Sequence, residues 1–280
     1  MGILEAIVLG IVQGLTEFLP ISSSAHLRIV GELFPSLGDP GVTFTAVTQI
    51  GTETAVIIYF WKDIVRIVSA WFKSLPIGPW KNQVPRDNPD ARMGWIVIFG
   101  TLPIVFLGLL LEDWIDTVFR NLYLTALTLA VFAIFLGLAD RFGTRRKELA
   151  DMPIRDGVVL GFAQAMALVP GVSRSGGTIT VGLALGYTRP AAARISFFLA
   201  IPAVMGSGFY RLLSDDGTGP QAGAAPTIVA TITAFIVGFA VIVGFLRLVE
   251  TRSYIPFVVY RLILAAAVVF MLGQGILSPD

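Results

Sequence analysis

The sequence predicts an all-α, polytopic membrane protein with six transmembrane helices and two re-entrant helical hairpins, arranged as an inverted-topology repeat. Three observations predict it. Of the 280 residues, 55% are hydrophobic and only 14% are charged, whereas a soluble domain devotes about a quarter of its residues to charge. Six apolar stretches, at 44–61, 93–111, 121–139, 193–211, 227–248 and 255–275, each come near the roughly 20 residues a helix needs to cross hydrocarbon. Two related motifs rich in Ser and broken by Pro precede three of those stretches each.

The chain opens on an apolar run that carries Glu5 and Glu17 and has no basic segment before it. It therefore reads as part of the mature protein and not as a secretory signal. From Leu9 the first motif runs LGIVQGLTEFLPISSSAH, and from Leu160 the second runs LGFAQAMALVPGVSRSGG. Gly10 aligns with Gly161, Gln13 with Gln164, Pro20 with Pro170 and Ser23 with Ser173, at an offset of 151 that shortens to 150 after one deletion. The repeat divides the chain into halves at 1–140 and 150–280, together one membrane domain.

Each motif offers only about 12 to 16 residues before its proline, too short for a span and suited to a re-entrant segment. Irregular backbone at membrane depth persists only where protein or a water-filled cavity satisfies it, so each motif should line a cavity. Three spans separate the motifs, and an odd number of crossings puts their mouths on opposite faces, the inverted-repeat plan of many transporters. Between the first and second spans, 64–72 reads as an interfacial helix and the Pro-rich segment 75–89 as a loop.

Basic residues orient this arrangement. Lys62, Arg66, Lys73, Lys81, Arg86 and Arg92, the run Arg141 to Arg155, and Arg189, Arg194, Arg247 and Arg252 fall on one side, against Arg28, Arg120 and Arg211 on the other. The positive-inside rule makes the first side cytoplasmic. The first motif, both termini and the Asp215-Asp216 loop then face outward. The absence of cysteine excludes disulfides, thiolate metal sites and a Cys nucleophile. A net charge of +1 suggests no nucleic-acid partner.

The chemistry concentrates in the motifs. Gln13 and Glu17 are four apart and share one helix face, with Gly10 and Gly14 leaving room beside them. Pro20 ends that helix, and Ser22, Ser23, Ser24 and His26 follow on a turn that can fold back over Glu17. In the second motif, Ser173, Arg174, Ser175, Gly176 and Gly177 set one guanidinium among hydroxyls and flexible backbone at the start of a new helix. Helix N-termini favour anions, and arginine presents a planar fork of donors to phosphate oxygens. The arrangement predicts an oxyanion pocket. The plain alternatives are that Glu17 and Arg174 form a structural ion pair and that the serines cap helices. Glu53 and Arg261 also lie in apolar spans, where each can pair, snorkel or meet substrate, and rank below the motif residues.

QGLTEFLPISSSAH and PGVSRSGG resemble the two signature motifs of the undecaprenyl-diphosphate phosphatase family, also called bacitracin-resistance proteins. FTAVTQIGTETAVIIYFW, SFFLAIPAVMGSG and YIPFVVYRLILAAAV resemble further family segments, so the likeness covers about residues 5–270. The resemblance implies a hydrolase of the bacterial cytoplasmic (inner) membrane, its site facing outward. Its substrate would be undecaprenyl diphosphate, converted to undecaprenyl phosphate and inorganic phosphate. That reaction recycles the lipid carrier for peptidoglycan synthesis and confers bacitracin resistance. The resemblance also implies a divalent metal, Mg²⁺ or Ca²⁺, at an acidic motif that here is Gln13 and Glu17. It makes Ser22, Ser23, His26 and Arg174 functional. Gln13 keeps an oxygen ligand but removes a charge, so Glu17 matters more. Glu53 matches no family site.

The nucleophile stays open at this stage: Ser23 activated by Glu17 or His26, or His26 attacking or activating water. A lipid-phosphate transporter or flippase using the same anion site is the alternative function. The sequence leaves room for a homodimer.

Overall fold

Proline explains where the short helices stop. The computed structural model describes residues 1–33, 41–81, 83–111, 114, 121–214 and 222–279. Among these, the helices are α1 (Ile3–Thr16), α2 (Ser23–Leu33), α3 (Gly41–Tyr59), α4 (Trp61–Ser74), α5 (Pro89–Leu110) and α6 (Leu122–Phe142), followed by α7 (Ile154–Ala165), α8 (Arg174–Ala184), α9 (Arg189–Ser214), α10 (Ala224–Thr251) and α11 (Ile255–Gly273). Thr16, the last residue of α1, stands four before Pro20, which has no N–H for that carbonyl and whose ring clashes with it. Pro170 acts likewise on α7, which ends at Ala165 and continues only as a 3₁₀ turn, Met166–Leu168.

By length and composition α5, α6, α9, α10 and α11 can each cross a membrane, and the chain is a multi-pass membrane protein. The stretch expected at 44–61 forms α3, which is 19 residues long but less apolar, because Thr45, Thr48, Gln49, Thr52 and Glu53 interrupt it. The interfacial helix expected at 64–72 is α4, extended at both ends. Arg120 and the Asp215-Asp216 loop lie outside the described residues.

The outer surface is apolar, and the inward face of the first half of α10 is small-sided. On α10, Ile228, Ile232 and Ile236 are exposed, while Ala230, Ala234 and Gly238 are buried. This is the pattern of a bundle in lipid, where close backbone approach rather than apolar burial drives association. A Cβ at Gly10 would lie 2.6 Å from the Ala230 carbonyl oxygen, and one at Gly14 would lie 2.9 Å from that of Ala234. Helix α1 therefore runs alongside α10 in the same direction and ends near its middle. Gly157 packs on Ile96 and Gly161 on the Gly100 carbonyl, so α7 runs alongside α5 in the same way. Helices α3 and α9 pack together, as do α6 and α11.

Polar locks gather at the end where α5, α7, α9 and α11 begin. Asp140 accepts from Arg189 Nε at 2.6 Å and from the Tyr254 N–H at 2.9 Å. Asp156 accepts from the Tyr187 hydroxyl at 2.8 Å. Burial pushes the Tyr187 hydroxyl above its usual range, so it remains a donor. Helices α4 and α5 are tied by Arg66 to Asp90 at 3.0 Å.

The motif helices correspond closely. Helices α1 and α7 begin 151 residues apart, and so do α2 and α8, each of which is 11 residues long. Ser22 and Ser173, immediately before α2 and α8, have φ of +73° and +71°. The residues that match in conformation are thus Ser22 and Ser173, at a constant offset of 151, and not Ser23 and Ser173.

Candidate functional site

A positive φ on a residue that is not glycine costs of order 1–3 kcal/mol and is retained where it aims something. In both motifs it turns the chain from the end of one short helix into the start of the next. The serine hydroxyl then caps the new helix: Ser173 Oγ accepts from the Gly176 N–H at 3.1 Å, and Ser22 Oγ from the Ala25 N–H at 3.5 Å. Each capping serine also meets the hydroxyl two residues on, Ser22 with Ser24 at 3.1 Å and Ser173 with Ser175 at 3.2 Å. The first residues of the new helices, Ser23 and Arg174, are thereby delivered to a common point.

That point is Glu17, whose side chain is only 3% exposed. One carboxylate oxygen pairs with Arg174 Nη2. The other accepts from Ser23 Oγ at 2.7 Å and from Gln13 Nε2 at 2.6 Å. Arg174 Nη2 also lies 3.9 Å from Glu53 Oε1. A largely buried ion pair gains little net stability over apolar packing, so such an array inside a membrane protein points to function.

Glu17, Ser22, Ser23, Ser24, Ser173 and Arg174 line one wall of a cavity of about 490 Å³. Ile104, Val105 and Leu109 of α5, Ala203 of α9 and Leu168 add apolar lining to the same cavity. A cavity lined by both polar and apolar side chains suits an amphiphile. Gln49, Ser207, Tyr210 and Arg211 also line it and were not singled out as site residues from the sequence. For Gln49 a signal existed, since it stands four residues before Glu53 and so shares its helix face.

The remaining expected residues sit behind this wall. His26 is turned away from the cavity. Its Nδ1 meets the Ser22 carbonyl at 2.7 Å and its Nε2 the Tyr260 hydroxyl at 2.6 Å. Ser175 Oγ donates to the Leu19 carbonyl at 3.1 Å, tying one motif to the other. The N–H of Gly176 binds Ser173 Oγ and that of Gly177 binds the Ser173 carbonyl at 2.8 Å. These two amides are satisfied within the helix, so the Arg174 guanidinium rather than these N–H groups meets an oxyanion.

Arg261 proves to be the keystone of the backbone. It is fully buried, and its guanidinium donates to the carbonyls of Pro20 at 3.0 Å, Gly171 at 2.8 Å and Val172 at 3.2 Å, with Nε on Leu129 at 3.2 Å. It thus holds the turns of both motifs against α6.

A hard divalent cation takes oxygen ligands. Among the described residues no three acidic or imidazole side chains converge on one point. Three buried side-chain oxygens of this region have no hydrogen-bond partner, however: Gln13 Oε1 and both carboxylate oxygens of Glu53. Buried polar atoms without partners are rare, and the donor chemistry here, a carboxylate and an amide oxygen beside Glu17, fits such an ion.

The chain is similar to known proteins over nearly its whole length. The family described as Bacitracin resistance protein BacA matches residues 6–267. An undecaprenyl-diphosphatase of Micrococcus luteus is 57% identical over 278 residues, 98% of this chain and 99% of the relative. An undecaprenyl-diphosphatase 2 of Agrobacterium fabrum is 58% identical over 279 residues, 99% of this chain and 98% of the relative. One from Paenarthrobacter aurescens is 56% identical over 281 residues, 99% of this chain and all of the relative.

Proposed function

The chain belongs to the bacitracin resistance protein family, and from that membership we propose that it is an undecaprenyl-diphosphatase. It hydrolyses undecaprenyl diphosphate to undecaprenyl phosphate and inorganic phosphate, an activity that returns the lipid carrier to cell-wall synthesis and confers bacitracin resistance. The observation that carries the reading is the convergence of Glu17, Ser23 and Arg174 at a cavity that also has apolar lining from α5 and α9.

The diphosphate lies against Ser22, Ser23, Ser173 and Arg174, and the prenyl chain leaves along α5 and α9. Arg174 exchanges its contact with Glu17 for the oxygens of the terminal phosphoryl group, where positioning and charge neutralisation supply most of the catalysis. Ser23 Oγ, already donating to Glu17 at 2.7 Å, gives its proton to that carboxylate and forms a bond to the terminal phosphorus. The anhydride P–O bond breaks and undecaprenyl phosphate leaves. Water then attacks the same phosphorus, the bond to Ser23 Oγ breaks, and the proton returns to the serine. His26, held by Ser22 and Tyr260, acts from behind by fixing the first turn of α2. A divalent metal, Mg²⁺ or Ca²⁺, held by Glu17 and Gln13 would neutralise charge on the diphosphate.

In this reading α3 joins the five long helices as a sixth span, and the α1–α2 and α7–α8 hairpins are re-entrant. The like pairing of α1 with α10 and of α7 with α5 supports a repeat of halves 1–140 and 150–280, which three intervening spans make inverted. The membrane is the bacterial cytoplasmic membrane, with the basic end of the bundle inside and the cavity outward.

The test is phosphate release from undecaprenyl diphosphate by purified protein in detergent, with and without EDTA. Native protein should release phosphate in a metal-dependent manner. Arg174→Ala should lose about 100-fold or more, and Glu17→Ala should fall to background. A folded native sample that releases none overturns the reading in favour of lipid-phosphate transport.

A further inference from the structure

Glu53 stands outside the mechanism above, yet it is the most anomalous side chain in the molecule. It is fully buried in the middle of α3, and neither carboxylate oxygen has a hydrogen-bond partner. Arg174 Nη2 lies 3.9 Å from its Oε1, and that same nitrogen is paired with Glu17. A guanidinium thus sits between two buried carboxylates and engages only one of them fully. Beside this pair the amide oxygen of Gln13 is also buried without a partner, while its Nε2 is fixed on Glu17. With Nε2 held on the carboxylate, Oε1 accepts from no protein donor and stays available as a ligand.

We propose that Glu53 is the second carboxylate of a divalent-cation site whose other ligands are Glu17 and the amide oxygen of Gln13, and that Arg174 holds the cation's place until it binds. The inference rests on the metal-dependent phosphatase reading and adds to it a ligand from α3, outside both motifs. Charge favours it. With both carboxylates ionised, two carboxylates and one arginine carry a net negative charge, the wrong sign for a diphosphate. Adding a divalent cation reverses that sign and frees Arg174 for the phosphoryl oxygens, so cation entry and anion binding become one exchange. The ligand chemistry suits a hard cation, which takes one or two carboxylates and completes its shell with amide, water or phosphate oxygens. A purely structural carboxylate at this depth would have its oxygens satisfied by neighbouring donors.

The experiment measures Mn²⁺ binding to the purified full chain in detergent, without substrate, from loss of the free-ion EPR signal, with thermal unfolding followed in parallel. Native protein binds Mn²⁺. Glu53→Gln and Glu17→Gln each weaken binding tenfold or more while unfolding within a few degrees of native, and Glu53→Asp, which keeps the charge, loses only a few-fold. Arg174→Ala tightens binding, because the competing guanidinium is gone. Glu53→Gln that binds Mn²⁺ as native does, while Glu17→Gln does not, overturns the assignment of Glu53 and leaves the phosphatase reading standing. Arg174→Ala that weakens binding overturns the exchange. Native protein that binds no Mn²⁺, yet releases phosphate in EDTA, removes the metal premise itself. Native protein that binds Mn²⁺ through Glu53 and releases no phosphate keeps the cation site and removes the phosphatase reading.

Discussion

Arg261 carries the largest structural consequence of any single residue. Replacing it with Leu leaves the carbonyls of Pro20, Gly171 and Val172 buried without a donor, each at about 1–3 kcal/mol. The expected result is a melting temperature in detergent lowered by about 5–10 °C, with phosphate release lost in parallel. Arg261→Lys, with a single ammonium, should recover part of the stability and less of the activity, because one ammonium does not span both turns. Unchanged melting in Arg261→Leu would show that the carbonyl cradle is dispensable. Sequence pointed to Glu17 and Arg174 because ionisable groups within apolar, helix-broken segments are conspicuous. It did not show that His26 turns from the cavity toward Tyr260, since that direction depends on the positive φ of Ser22, which nothing in a serine predicts. Arg261 was visible as a buried cation, but its role was not, because its partners are backbone carbonyls far away in the chain.

At the scale of helices, the approach of α1 to α10 depends on glycine. Gly10→Leu would drive its Cβ into the Ala230 carbonyl and the Thr233 side chain, 2.6 and 2.8 Å away. Such overpacking costs about 1–3 kcal/mol and tilts the helix that carries Glu17. Gly244→Ala, with nothing within 4 Å of the added carbon, should melt as native does. If both variants unfold at the same temperature, α1 is not held by this contact. The helix boundaries followed from proline and hydropathy. The lower apolarity of α3 was also readable, since its threonines, Gln49 and Glu53 are in plain view. What could not be read was which of its faces turns toward the cavity: α3 is packed by both α9 and α10, and hydropathy does not choose between them.

For the whole molecule, orientation is the open variable that a measurement closes. The chain has no cysteine, so a single introduced thiol reports its own side. In intact cells a membrane-impermeant maleimide should label Ala222→Cys and leave Trp80→Cys untouched until the membrane is opened. The reverse pattern would turn the cavity inward and separate it from substrate released outside. The repeat was legible as two motifs of like composition. Its true register, with Ser22 opposite Ser173, emerged only from backbone conformation, because neighbouring serines make adjacent alignments look equally good.

The carbonyl cradle of Arg261 also dictates an order of events during synthesis. Glu17 and Ser23 leave the ribosome early and Arg174 much later, but the residue that clamps both turns belongs to α11, the final helix. A nascent chain lacking that helix carries both motifs but not the donor that holds their turns together. The two turns are therefore expected to take up their fixed geometry only after α11 is made.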